Sequence, residues 1–343
     1  MNLPLHSKSI LFFGPETFSY EKEIVGALSI LGASVVYRSD KPDNSLLTKG
    51  LLRLFPKLLW RYADWVFGKW LRQFGPESCD LVFVVKGEGL SPEFLETLKL
   101  RYPSASFIFY LWDSLENVRF SEKKFPKFDQ VFSFDPNDCS NNPGLRYRPL
   151  FFLEKYFNPA PSQGQGCFFV GTLNGDRPAV LARLNRAMPA GFNFDYWLFV
   201  RSSLELQLRK ILDSQLRSLD QKRLLLVSMT SSVVTQKFQQ SAAILDIEHP
   251  NQVGLTMRTF EVLASGKKLI TTNISVLKHD FYDPSRIYLI DRLNPRLDIR
   301  FFETPATPLP ADFYAKYSLS GWILEVLSPA FNFRDTAKHE TTT

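Results

Sequence analysis

Cysteine is scarce in this sequence: Cys79, Cys139 and Cys167 are the only three, widely spaced and without a C-x-x-C pair. That excludes a disulfide framework and a zinc knuckle, and it fits a reducing cytoplasm. Glycine and proline are also sparse, at 17 and 22 of 343 residues, and 45% of the chain is hydrophobic. A disordered or collagen-like chain is therefore excluded. No apolar run approaches about 18 residues, and the first residues lack a signal peptide's long apolar core and small-residue cleavage site, so neither spanning nor secretion is expected. No G-x-G-x-x-G follows the first strand, which argues against a dinucleotide-dependent oxidoreductase. His6, His249, His279 and His339 are dispersed, so no metal site is expected.

What the sequence does have is length, positive charge and aromatic residues. A chain of 343 residues is more than twice the usual domain, so two domains are expected. The net charge of +6 favours an anionic partner without saying which. Nucleic acid is not expected, because the basic residues form no recognisable module.

Short apolar runs at 9–14, 34–37, 80–85, 106–111 and 130–134 alternate with helical spacing at 21–31 and 92–98. The pattern predicts a parallel sheet flanked by helices. A Pro, Gly and Gln-rich stretch at 155–166 reads as a linker. Beyond it, strands are predicted at 167–170, 195–200, 224–227, 242–247 and 268–272, with helices from Pro178, over 203–219, near 234–240 and over 255–264. The resulting division is an α/β domain over 1–155 carrying an insertion at 45–75, a second α/β domain over 167–318, and a terminal helix with a polar tail over 319–343.

In open parallel sheets, ligands bind beyond the carboxyl ends of the strands. In the first domain those ends carry Gly14, then Glu88 within Lys86-Gly87-Glu88-Gly89, then Asp113, then Asp135. Asp113 follows a wholly apolar strand, which suits a general base or an acceptor contact, whereas Asp135 before a proline also reads as a helix cap. In the second domain, Gly171, Thr172, Asn174 and Arg177 line a strand-to-helix loop that offers backbone amides and a guanidinium to an anion. An ordinary βα turn reads the same way. The other candidate runs from His249 and Asn251 through Gly254, Leu255 and Thr256 into a helix bearing Arg258 and Glu261. Gly254 allows close backbone approach, the helix entrance favours phosphate, and a carboxylate one to two turns deeper suits a ribose diol. Arg258 and Glu261, three apart, also read as a surface ion pair. Gly266 is expected to end this helix in a left-handed conformation.

These features resemble GT-B fold glycosyltransferases, and among them bacterial glycosyltransferase-like proteins of the spore-maturation and surface-polysaccharide type. The likeness rests on two α/β domains, the Gly171-Thr172 loop, and Arg258-Thr259-Phe260-Glu261 followed by Ala264-Ser265-Gly266. It implies two Rossmann-like domains facing across a cleft and a nucleotide-sugar donor acting as co-substrate, with no other cofactor. The acceptor would be a polysaccharide, lipid-linked or other glycan. By the same resemblance Glu261 would hold the nucleotide ribose, Gly254 to Thr256 would face the diphosphate, and Arg258 or Arg177 would neutralise it. Retaining members often carry a second glutamate eight positions before the ribose-binding one; here Val253 stands there, with Glu248 the nearest acid. That departure keeps open a noncatalytic scaffold role in polysaccharide assembly. No Asp-x-Asp is present, which agrees with metal-independent members of the class.

The insertion is basic and aromatic. Over 48–72, Arg53, Lys57, Arg61 and Asp64 form one polar stripe, while Leu54, Leu58, Trp65, Phe67, Trp70 and Leu71 occupy the rest. One reading is an interfacial helix at the inner face of a membrane. The wide apolar arc favours the other, a helix buried against the sheet with its charges in solvent.

Overall fold

The computed structural model describes residues 3–331 apart from 18, 44, 46, 47, 49, 51–54, 119, 159–163 and 190. The chain forms two compact units: the stretch up to Leu150 together with the stretch from Ser318, and Phe151–Tyr317.

The first unit holds β1 (Ser9–Gly14), β2 (Ser34–Ser39), β3 (Leu81–Val85), β4 (Ser106–Leu111), β5 (Gln130–Ser133) and β6 (Leu145–Tyr147). They form one parallel sheet in the order β2-β1-β3-β4-β5-β6. Successive side chains point to opposite faces of a strand, and Phe12 and Phe13 show the consequence. Phe12 lies in register with Tyr37 and Phe83, and its ring meets theirs at 5.5 and 5.4 Å. On the other face, Phe13 meets the rings of Phe67, Trp70 and Phe94, carried by helices Pro56–Phe74 and Pro92–Arg101. The terminal helix Leu319–Leu327 packs in this first unit, where Trp322 is fully buried and meets Tyr110 edge-on at 4.7 Å. Much of the aromatic excess is thus sheet-covering core.

Helix Pro56–Phe74 packs against the sheet on one side only. Trp60, Ala63, Phe67 and Leu71 are buried, but Leu58 and Trp65, which the sequence placed with the apolar arc, are 74% and 62% exposed. Asp64, expected in the polar stripe, instead accepts a 2.7 Å hydrogen bond from Ser91 Oγ, whose oxygen accepts from Phe94 N and caps the next helix. Arg53 and Leu54 lie outside the described residues, as do part of the linker and the polar tail from Asp335.

The second unit holds β7 (Cys167–Thr172), β8 (Phe194–Phe199), β9 (Leu224–Leu225), β10 (Ala243–Asp246), β11 (Lys268–Thr271) and β12 (Ile287–Leu289). Their parallel order is β12-β11-β10-β7-β8-β9. Counted from β7, this is the doubly wound order 3-2-1-4-5-6, whose direction reverses between β7 and β10. The helix expected over 203–219 is two helices, Ser203–Leu212 and Ser214–Ser218, because Asp213 leaves helical geometry and its Oδ1 accepts from Gln215 N and Leu216 N. Gly266 ends helix Met257–Ala264 at φ 70°, as expected.

Candidate functional site

The reversal point of the second sheet brings together the loops after β7 and β10, and with them most of the residues singled out in this half of the sequence. Its framework is polar and buried. Asp246, the last residue of β10, accepts hydrogen bonds from Thr256 Oγ1 at 2.6 Å and Thr259 Oγ1 at 2.9 Å. These two bonds fix the entrance of helix Met257–Ala264. Asn273 Nδ2 donates to the carbonyls of Val253 and Gly254 at 3.2 and 3.3 Å, and Ser275 Oγ donates to Val253 O at 2.6 Å. A loop held from both sides presents Gly254 to Thr256 in one conformation ahead of the helix.

One turn into that helix, Glu261 is 1% exposed and pairs with Arg258 at 3.2 Å. The Arg258 guanidinium also lies 5.1 Å from the centre of the Phe238 ring. The pair is therefore no solvent-facing ion pair. Its carboxylate belongs to the interior.

The β7 loop has a different character. Arg177 Nε donates to Ile247 O at 2.8 Å and Nη1 to Thr172 O at 3.0 Å, tying the carboxyl ends of β7 and β10 together. Asn174 Oδ1 accepts from Gly175 N, which has φ 52°. A Cβ at Gly171 would lie 2.8 Å from the tip of the buried Phe169 ring, so a side chain there would displace that ring. His249 Nδ1 accepts weakly from Asn251 N at 3.4 Å, Asn251 is exposed, and the Leu255 side chain is in the core.

Sequence reasoning missed the residue that joins these loops. Arg292, just beyond β12, donates to Asp176 Oδ1 at 2.6 Å and Oδ2 at 3.1 Å, to Thr272 Oγ1 at 3.1 Å, and to both Oε1 and the carbonyl of Glu248. Thr272 Oγ1 in turn donates to Glu248 Oε2. Burial pushes the Glu248 carboxyl above its ordinary value despite these partners. Burial also raises Asp176, but the bonds and charge of Arg292 outweigh it and hold that carboxyl low. Glu248 is thus committed to Arg292 and Thr272.

At the carboxyl edge of the first sheet, the named residues form a chain of charges. Lys41 pairs with Glu88 at 2.8 Å, Glu88 with Lys86 at 3.5 Å, and Lys86 with Asp113 Oδ2 at 2.6 Å. Lys86 and Gly87 both have positive φ, 66° and 62°, which places Lys86 in a backbone conformation uncommon outside glycine. Beneath them, Asp40 is fully buried, accepts from Glu88 N at 3.1 Å, and is pushed up to about 6 by burial. Lys124 is equally buried, donates to Gly87 O, and is pushed down to about 8 by burial. Gly14 O accepts from Tyr37 Oη, and Asp135 is a buried N-cap whose Oδ1 accepts from Asn137 N at 2.9 Å. Among the described residues, no group of three His, Cys, Asp or Glu could hold a metal ion.

No family model matches the chain, and no curated protein sequence does. The fold is nevertheless shared with solved structures along nearly the whole chain, and it is that of the GT-B proteins, with two Rossmann-like domains. A glycosyltransferase from Rickettsia africae ESF-5 is 14% identical, with 97% of each chain covered and a TM-score of 0.56. Anabaena HepE, solved with UDP and glucose, is 11% identical over 98% of this chain and all of its own, with a TM-score of 0.52. Staphylococcus aureus MnaA, solved with UDP, is 11% identical over 93% of this chain and 94% of its own, with a TM-score of 0.50.

Proposed function

We propose that this chain is a glycosyltransferase that moves a sugar from a nucleotide-sugar donor to a glycan or lipid-linked acceptor. The observation that carries the reading is the β7–β10 reversal point, where a pinned Gly254 to Thr256 loop opens a helix holding the buried Arg258–Glu261 pair. The amides at the helix entrance and the Arg258 charge meet a diphosphate, and the Glu261 carboxylate, buried in the free chain, accepts from the ribose hydroxyls once the side chains that cover it move aside. Gly171, Thr172, Asn174, His249 and Asn251 supply the surrounding wall, and Arg177 holds it in place. The similarity in fold to a glycosyltransferase and to two UDP-bound proteins supports a uridine nucleotide as the first probe.

In the reaction, an acceptor hydroxyl attacks the anomeric carbon, the bond from that carbon to the diphosphate oxygen breaks, and the nucleoside diphosphate leaves with the electron pair. Helix-entrance amides and Arg258 stabilise that leaving charge, so the step needs no metal ion. In this reading the acceptor's proton is assigned to Asp113, which pairs with Lys86 at 2.6 Å, and Gly14 and Glu88 are assigned as acceptor contacts. Contact with a membrane surface through 48–72 and a place at the cytoplasmic face of the membrane belong to this reading. Among the described residues, no helix is long and apolar enough to cross a membrane.

Val253 favours a second reading, a noncatalytic GT-B scaffold, because no carboxylate stands at that position and Glu248 is occupied by Arg292. Incubating purified protein with UDP-sugars separates the two. Release of UDP supports the enzyme, and UDP binding without release in the presence of glycan acceptors supports the scaffold. A thermal-shift comparison of UDP, GDP, dTDP and CMP identifies the nucleotide, since a ligand of the folded state raises its apparent stability.

A further inference from the structure

Helix Pro56–Phe74 is fastened to the first sheet by Ala63, Phe67 and Leu71, with Trp60 buried against Phe120, and its opposite face is turned outward. Along that outer face, Leu58, Tyr62, Trp65 and Lys69 recur at i, i+4, i+7 and i+11, so they form one stripe. Tyr62 and Trp65 stack on each other at 6.4 Å, and Lys69 Nζ lies over the Trp65 ring at 5.9 Å. Phe55, next to the helix start, is also exposed. The helix carries four cations, Lys57, Arg61, Lys69 and Arg72, and all are exposed. Its one acid, Asp64, is turned inward to Ser91. Two acids border the face: Asp43, held low by bonds from Ser45, Thr48 and the Tyr62 hydroxyl, and exposed Glu122 beside Lys123, so the cations outnumber the acids there.

A second observation concerns the cations themselves. Lys57 and Lys123 converge on one ring, their Nζ atoms 4.7 and 5.5 Å from the centre of Phe120. Contact with Lys123 lowers the proton affinity of Lys57. Two ammonium groups held this close gain from an anion between them. Exposed aromatic and leucine side chains beside such a cluster have the composition of an interfacial surface. Because the helix is already packed on the sheet, binding requires no folding of the segment.

We propose that this outer face docks on an anionic phospholipid bilayer, with Leu58, Tyr62 and Trp65 entering the headgroup layer and Lys57, Arg61, Lys69, Arg72 and Lys123 meeting lipid phosphates. The proposal deepens the membrane contact of the proposed function and uses none of the donor-site residues, so nucleotide binding reports on that site separately.

The test is flotation of the full chain with phosphatidylcholine vesicles and with vesicles containing about 30% phosphatidylglycerol, at about 0.1 M salt, where the Debye length is about 10 Å. Binding is expected only to the anionic vesicles and is expected to weaken as salt rises. Each cation near the surface contributes about fivefold, so the double variant Lys57→Gln/Arg61→Gln should bind about 25-fold more weakly. Trp65→Ser should lose about tenfold through its buried apolar area. Unchanged UDP binding and thermal stability in these variants show that they remain folded. Equal binding to neutral vesicles, no binding by the wild-type chain, full retention by both variants, or release by millimolar inorganic phosphate would each overturn the proposal. So would light scattering that shows a dimer abolished by Trp65→Ser, because the face would then belong to a second copy.

Discussion

Replacing Arg292 by alanine should loosen the loops after β7, β10 and β11 together, because one guanidinium holds Asp176, Glu248 and Thr272. The magnitude follows from burial. Glu248 is 5% exposed, and breaking a buried charge pair by removing one partner costs about 3–5 kcal/mol. Arg292 itself retains some exposure and Asp176 is a third exposed, so solvent moderates the loss and places it near 3 kcal/mol, the lower end. For a unit of this size that is a fall in Tm of about 6–12 °C. Glu248→Gln in the same background should recover about half of the loss, about 1–2 kcal/mol, since a neutral amide needs no counter-charge. The pH dependence supplies an independent check. Burial raises Glu248, and losing Arg292 raises it further; a raised carboxyl stabilises the fold below its unfolded value and loses that contribution as pH rises through the folded one. Asp176, held low in the wild type, loses its contribution as pH falls, so both effects shrink the deficit in acid. Urea unfolding followed by circular dichroism at pH 7 and near pH 4.5 measures this. A loss under about 1 kcal/mol, or an equal loss at both pH values, would refute the reasoning.

Asp40 supplies a second pH prediction. Burial pushes it up to about 6, above the ordinary aspartate value of about 3.9, so its contribution is complete below about pH 4 and falls by up to about 3 kcal/mol as pH rises past 6. Asp40→Asn should flatten that segment of the stability curve; an unchanged slope in thermal unfolding across this range would remove Asp40 as its source. Asp113→Asn should lower turnover by about 10²-fold or more with little change in donor KM, and Lys86→Met should lower it less, through loss of orientation. Normal turnover by Asp113→Asn with a competent acceptor would end its assignment as base.

The parallel sheets were legible because runs such as Leu81–Val85 are apolar on both faces, and because the β-α-β spacing around β10 and β11 is regular. The three-residue strands β6 and β12 were not, since so short a run has no periodicity to detect. Asp213 was absorbed into a helical pattern although it caps a new helix. The candidate site was legible where it is local: Gly254, Thr256, Arg258 and Glu261 lie within a few residues of one another. Its framework was not, because Arg292 meets Asp176 across 116 residues and no motif marks the pair. The insertion shows a subtler limit. Helical spacing established two faces, but only packing showed which aromatic residues cover the sheet and that Asp64 turns inward.

The donor-site account stands or falls on the Glu261 carboxylate. Isothermal titration of UDP into the wild-type chain and into Glu261→Gln, at matched folded stability, tests it directly. The account predicts wild-type binding and a loss of about 1.5–3 kcal/mol, roughly 10- to 150-fold, in the variant, as expected when a charged hydrogen-bond acceptor is neutralised. Equal affinity in the two proteins would contradict it.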